Sequence, residues 1–150
     1  VKKYFVIAGV VVSFLVIAFV SIEMIKRQKA AQYETTVVPY LKMVIPEISK
    51  WDPEIIKGYM TAQSLEGTSE DKLVEIVTYL SQLGNLQRLE EPEFLQVDVV
   101  RTNDYKEKKI ITYKIDAQYE NGKAVISIGL LDQGESFRVH NFNFNSEVLK

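Results

Sequence analysis

The stretch YFVIAGVVVSFLVIAFVSI, Tyr4 to Ile22, carries no charge over nineteen residues. As a helix rising ~1.5 Å per residue it would be roughly 28 Å long, about one hydrocarbon core. Lys2 and Lys3 precede it; Glu23 and then KRQK, Lys26 to Lys29, follow it. A cleaved signal peptide fits poorly. Its apolar region typically runs about 7–15 residues and closes on a small-x-small site, which AFVSIEM does not offer. The expectation is an uncleaved, single-pass signal anchor. Positive charge is nearly balanced across it. The very short N-terminal tail then places the rest of the chain outside a bacterial-type inner (cytoplasmic) membrane, as a periplasmic domain. Gly9 and Ser13 are four apart, and Ser21 shares their face. Small residues at this spacing let a second helix approach closely, or simply reflect their frequency in such helices.

Three segments follow: an anchor over residues 1–25, a helical linker over 26–35, and an α+β domain over 36–150. KRQKAAQYETT favours helix through its Ala, Gln, Lys and Arg. Tyr33, Val37, Leu41, Val44 and Ile48 then recur at helical spacing. Pro39 and Pro46 should kink or segment that helix, because each removes a backbone donor. In KWDPEIIKGYM, Asp52 is an N-cap and Pro53 the first helical residue. A third helix runs through EGTSEDKLVEIVTYLSQLG, capped by Ser69 and stopped by Gly84, with Leu73, Ile76, Val77, Leu80 and Leu83 as its stripe.

Beyond Gly84 the apolar period falls to two. Leu95, Val97 and Val99 alternate in a first strand, which NDYK turns. Ile111 to Tyr119 alternate in a second, and Ala124 to Leu130 in a third. Asn121-Gly122 between them is a strong hairpin signal, both central residues of such a turn taking positive φ. Phe137 and Val139 alternate in a fourth strand; Phe142 and Phe144 continue on the opposite parity. That break places a β-bulge near His140. The expected fold is a transmembrane helix followed by three helices packed on a curved four-stranded antiparallel sheet.

SKWDPEIIKGYM, LSQLGNLQ and YENGKAVISIGLLDQGESFRVHNFNF, in that order, resemble the nuclear transport factor two-like superfamily. The resemblance covers roughly residues 36–146. It implies a cone-shaped α+β fold, and it spans enzymes, ligand pockets and adaptors alike, so it implies no single activity. Small exported members similarly end in an aromatic-x-Asn-Gly strand, an aliphatic strand, a Gly turn and an aromatic-basic-aliphatic strand closing on Phe. Those places here are Tyr119 to Gly122, Ile126 to Leu131, Gly134, and Phe137 to Val139 with Phe142. Many relatives have Trp where this chain has Phe137. An anchor joined to such a domain is also similar in layout, though in no motif, to assembly subunits of type IV secretion systems.

The chain has no cysteine, so thiolate metal sites and disulfides are excluded. Residues 1–50 carry seven Lys/Arg against three Asp/Glu, whereas residues 51–150 carry eleven against seventeen. An acidic globular part argues against nucleic-acid phosphate as a partner. His140 is the only histidine, and beside Arg138 it could act as a pocket base. It has no obvious second base or orienting group, so a hydrogen-bonded strand residue is the plainer reading. Asp116 and Asp98 lie opposite the apolar strand face, where solvation is usual. Asp116, Arg138 and His140 are the candidate polar pocket or contact residues. No metal-ligand spacing and no Gly-rich phosphate loop occurs, so no catalytic, metal or cofactor-binding residue is assigned. Thr112, Lys114, Asp116, Gln118, Ser127 and Gly129 form a polar sheet face. Trp51 is either a partner anchor or a staple onto Ile56. The expected function is a non-enzymatic accessory, scaffold or assembly subunit of a larger membrane complex. Its partners would be the lipid bilayer and other membrane protein subunits. The alternative is a small apolar ligand-binding domain, or an isomerase- or hydrolase-like enzyme using the cone interior.

Overall fold

The computed structural model describes residues 2–101 and 106–150, with backbone alone for residues 2–9. The surroundings of Gly9, and most of the NDYK turn, lie outside the described residues. The chain divides into two compact units, Val1–Thr35 and Thr36–Lys150. Among the described residues there are four helices: α1 (Lys2–Ile48), α2 (Pro53–Tyr59), α3 (Ala62–Glu66) and α4 (Glu70–Leu80), the last running into a 3-10 turn at Ser81–Leu83. They are followed by five strands: β1 (Leu86–Leu89), β2 (Glu93–Arg101), β3 (Glu107–Tyr119), β4 (Gly122–Asp132) and β5 (Phe137–Asn145).

The first correction concerns the membrane anchor. Among the described residues no helix is long and apolar enough to cross a membrane. Beyond Ile22 the same helix carries Glu23, Lys26, Arg27 and Lys29 within its next two turns, charges that a hydrocarbon core disfavours. The expected transmembrane helix and signal anchor are therefore overturned. So are the single-pass inner-membrane location and the extracytoplasmic placement that depended on them.

The helix and strand counts also differ from expectation. The supposed anchor and the first amphipathic helix are one continuous α1, and α3 had no expected counterpart. Pro39 and Pro46 both lie inside α1 without ending it. Two interior prolines cost roughly 6 kcal/mol. The same stretch buries Val37, Leu41, Val44, Ile45 and Ile48 almost completely. Five such side chains are worth on the order of 10 kcal/mol, so packing overrides the local penalty.

Helix ends follow their local chemistry more closely. Asp52 accepts from the Glu54 amide at 2.9 Å, with Pro53 opening α2. Ser69 accepts from the Lys72 amide at 3.3 Å and caps α4. Gly84 stops the 3-10 turn with φ 77°. Ile56, Leu73, Val77, Leu80 and Leu83 turn their side chains into the core.

The sheet is antiparallel, with β3, β4 and β5 in sequence and both β1 and β2 on the outer edge of β3. Leu89 pairs with Ala117, and Glu93 resumes the pairing at Lys114. Pro92 lies between them and has no donor for the ladder, which separates β2 from β1, a strand with no expected counterpart. A register shift between Phe94 and Gln96 leaves Leu95 as an extra residue. Leu95 is 38% and Val99 58% exposed, so the expected inward alternation of this strand fails at both. In β3 and β4 it holds, with Ile111, Tyr113, Ile115, Ala117, Tyr119, Ala124, Ile126, Ile128 and Leu130 all buried.

The β3–β4 hairpin forms, but with its turn one residue early. Tyr119 pairs with Gly122, so Glu120 and Asn121 are the central residues. Neither has positive φ. The Asn121 amide donates to the Leu83 carbonyl at 3.0 Å and its side chain to the Gln82 carbonyl at 2.8 Å. Docking onto the end of the 3-10 turn thus sets the loop. Gly122 is needed for a different reason: a Cβ there would lie 2.5 Å from Val148 Cγ2.

Trp51, directly after α1, is the only non-glycine residue with positive φ among those described, at 57°. A bulky side chain in this region carries about 1–3 kcal/mol of strain. Its Nε1 donates to the Gly84 carbonyl at 2.8 Å. Its ring lies 5.7 Å from Tyr119 and 5.6 Å from Phe144, centroid to centroid. The side chain is thus spent on the strands and on Gly84, rather than on a staple to Ile56 or an exposed anchor. Beside it, the Ser49 and Tyr119 hydroxyls share a buried hydrogen bond of 2.7 Å. Burial pushes the Tyr119 phenol up to about 12, against the smaller opposing pull of that bond.

Two outcomes follow from this packing. Residues 36–150 expressed alone should melt in one cooperative transition by calorimetry, since the core they bury is their own; a broad, non-cooperative transition would contradict this. The raised Tyr119 pKa stabilises the fold fully below pH 10, and that contribution is lost as pH rises through about 12. Between pH 9 and pH 11.5, urea unfolding should show the wild type losing about 2 kcal/mol more than Tyr119→Phe.

Candidate functional site

The bulge in β5 organises the most site-like region. Gly129 pairs with Asn141 and Leu130 with Val139, so His140 is the residue left over in β5. The parity break between Val139 and Phe142 therefore marks a bulge at His140, as the sequence indicates. A bulge re-aims the groups of the extra residue, and here short contacts from α3 meet them.

Thr61, buried at the start of α3, donates its amide to the Val139 carbonyl at 2.9 Å. Its Oγ1 accepts from the Ser64 amide at 3.2 Å, capping α3. The Thr61 and Ser64 hydroxyls lie 2.8 Å apart, and Ser64 Oγ donates to the His140 carbonyl. Thr61 Oγ1 is also 3.4 Å from His140 Nδ1. Ser64 and His140 edge a recess of about 410 Å³, whose apolar lining includes Met60, Leu73, Ile76 and Phe142. Phe142 is half-buried there, whereas Phe144 is in the core.

The three polar candidates are not brought together. Arg138 donates to the Gly58 carbonyl, at the end of α2. Near it, burial raises the Tyr40 phenol above its ordinary pKa, the Arg138 charge pulling the other way. Asp116 is exposed and lines a second recess, of about 270 Å³, on the outer sheet face. Arg88, Glu90 and Lys123 share that recess, and Arg88 and Glu90 are paired at 2.8 Å. The recess is therefore of mixed charge. Of the candidates in α1, Ser13 and Ser21 are both exposed. Ser21 Oγ donates back to the Ile17 carbonyl at 2.8 Å, a bond within its own helix. Among the described residues no cluster of three or more His, Asp or Glu is placed to hold a metal ion.

Chemically, the His140 region joins one imidazole to two hydroxyls. Both hydroxyls already serve the fold: Thr61 Oγ1 caps α3, and Ser64 Oγ satisfies the carbonyl at the bulge. A nucleophile–base pair needs a hydroxyl directed at the imidazole and a group orienting the ring from its other nitrogen. The 3.4 Å separation is long for the first, and among the described residues no hydrogen bond joins the ring to a carboxylate for the second. Thr61 and Ser64 were not singled out from sequence. The signal was present in TAQSLEG, a Thr N-cap and a closing Gly around one helical turn.

No family model, no curated protein and no solved structure matches the chain. The likeness to the nuclear transport factor two-like superfamily is thus carried by the quoted residues alone.

The contacts around the bulge predict an asymmetry. His140→Gln should change unfolding free energy by less than about 1 kcal/mol, because its ring makes one long contact. Ser64→Ala strands the bulge carbonyl and should cost about 1–3 kcal/mol. Chemical denaturation of the two variants side by side checks the order, and an equal loss would refute it.

Proposed function

We propose that this chain is a non-enzymatic scaffold or assembly subunit of a larger protein complex, with part of α1 enclosed by neighbouring subunits. One observation carries the reading. Twelve large apolar residues between Val10 and Ile25 are each at least 50% exposed, up to 69% at Phe14 and 68% at Phe19. At about 100 Å² each they expose roughly 1,200 Å² of apolar surface, whereas a monomer rarely bares more than a few hundred in one patch. The area exceeds the ~800 Å² that one partner contributes to a standard protein interface. The exposed residues surround the helix rather than forming one stripe, which suits enclosure by several apolar helices better than docking on one flat surface. The engaged hydroxyls beside His140 and the scattered polar candidates support the non-enzymatic side of the reading.

A second reading has its own observation. The recess at His140 has the volume of a small-molecule site and a mostly apolar lining with a few polar groups. It would hold a small, largely apolar ligand.

Phe14→Gln/Phe19→Gln tests the first reading, since Gln preserves helix propensity. Native-state mass measurement should find the wild-type chain in a larger assembly and the variant released from it, with the melting of the domain unchanged. A wild-type chain that runs as a lone monomer in plain buffer would refute the proposal.

A further inference from the structure

The outer edge of β2 is open. β2 pairs only with β3, and among the described residues no other strand or helix backbone bonds to its far side. The opposite edge of the sheet is treated differently: at β5, the Thr61 amide and a parallel bridge from Met60 cover Val139. An uncovered strand nine residues long is a template for another strand.

The sequence of that edge, EFLQVDVVR, is complementary to itself when reversed. With a two-fold axis through Val97, Glu93 faces Arg101, Phe94 faces Val100, Leu95 faces Val99, and Gln96 faces Asp98. Every pair is then opposite in charge, apolar with apolar, or donor with acceptor, the combinations that stabilise neighbours across strands. Neighbouring registers lose this. Centring on Asp98 sets two carboxylates face to face, and centring on Gln96 sets Phe94 against Asp98. The charged ends are available for a partner. Glu93 is only 3.9 Å from Lys114 at its nearest and Arg101 3.8 Å from Glu107, and all four side chains are substantially exposed. Gln96 and Asp98 are presently joined within the strand at 2.7 Å, so both already point to one face. Leu95 and Val99, both exposed, cover each other in this arrangement.

We infer that β2 is a self-association edge, at which a second copy of this chain adds its own β2 antiparallel about Val97 to make one sheet across two subunits. An isologous contact of this kind closes at two copies. The edge shares no residue with either recess or with the apolar run of α1, so the outcome here leaves the proposed scaffold role undecided either way.

The chain has no cysteine, which makes position-specific linking a clean test on the full-length protein. Opposed residues on paired strands lie within disulfide reach. Under mild oxidation Val97→Cys should form a covalent dimer at least tenfold faster than Asn143→Cys, an exposed position on β5. Association through any other surface would link the two at similar rates, and equal rates would overturn the inference. In the Val97→Cys background, Arg101→Glu should slow linking at least fivefold by placing carboxylates opposite each other. Adding Glu93→Arg should restore the rate. Slow linking that the second reversal leaves unrestored would also overturn the proposed register.

Discussion

Trp51 is held at φ 57° by contacts that come from four different places in the chain. Its backbone ends α1, its Nε1 takes the Gly84 carbonyl after α4, and its ring meets Tyr119 of β3 and Phe144 of β5. A left-handed backbone at a residue this large persists only where its surroundings over-determine it. Without that turn the chain leaving α1 would point elsewhere, and α2 would not begin at Asp52 where it does. The buried Ser49–Tyr119 hydrogen bond lies within two residues of the turn and satisfies the polar end of an otherwise enclosed phenol. The junction of helices and sheet therefore rests on a strained residue stabilised by aromatic packing and two hydrogen bonds.

The second constraint is the bulge at His140. It lets Val139 and Phe144 both face the core from one strand although their spacing is odd. The displaced carbonyl of His140 then needs a donor, and Ser64 supplies it. That need explains why a five-residue α3 sits beside β5, and why the polar cluster at the bulge has its hydroxyls committed. A recess remains next to them, but it is a by-product of how the bulge is covered.

Much of this was legible along the chain. Asp52, Ser69 and Gly84 act within two or three residues of themselves, so their roles as caps and stop are readable locally. The parity break from Val139 to Phe142 is likewise a property of one strand. The antiparallel order from β2 to β5 is recoverable from alternation and turns, although β1, set apart by Pro92, had no expected counterpart. Of the site, His140 and its bulge were visible; Thr61 and Ser64 were obscured because a single helical turn shows no apolar period. The separation of Asp116 from Arg138 and His140 could not be read, since residues sharing a polar face in sequence can still open onto different recesses.

By itself the sequence determined where α2 and α4 start, where the period changes from helical to extended, and where β5 must bulge, because each depends on neighbours a few bonds away. Only the tertiary structure decided that α1 runs unbroken through Pro39 and Pro46, that Trp51 adopts positive φ, and that Gly122 serves a close approach by Val148 rather than a primed turn. It also decided that Leu95 and Val99 lie outside the core. In each case the deciding energy comes from side chains far away in the chain: apolar burial outweighs the loss of a helix bond, and aromatic contacts outweigh a backbone preference. Local pattern cannot register forces of that origin.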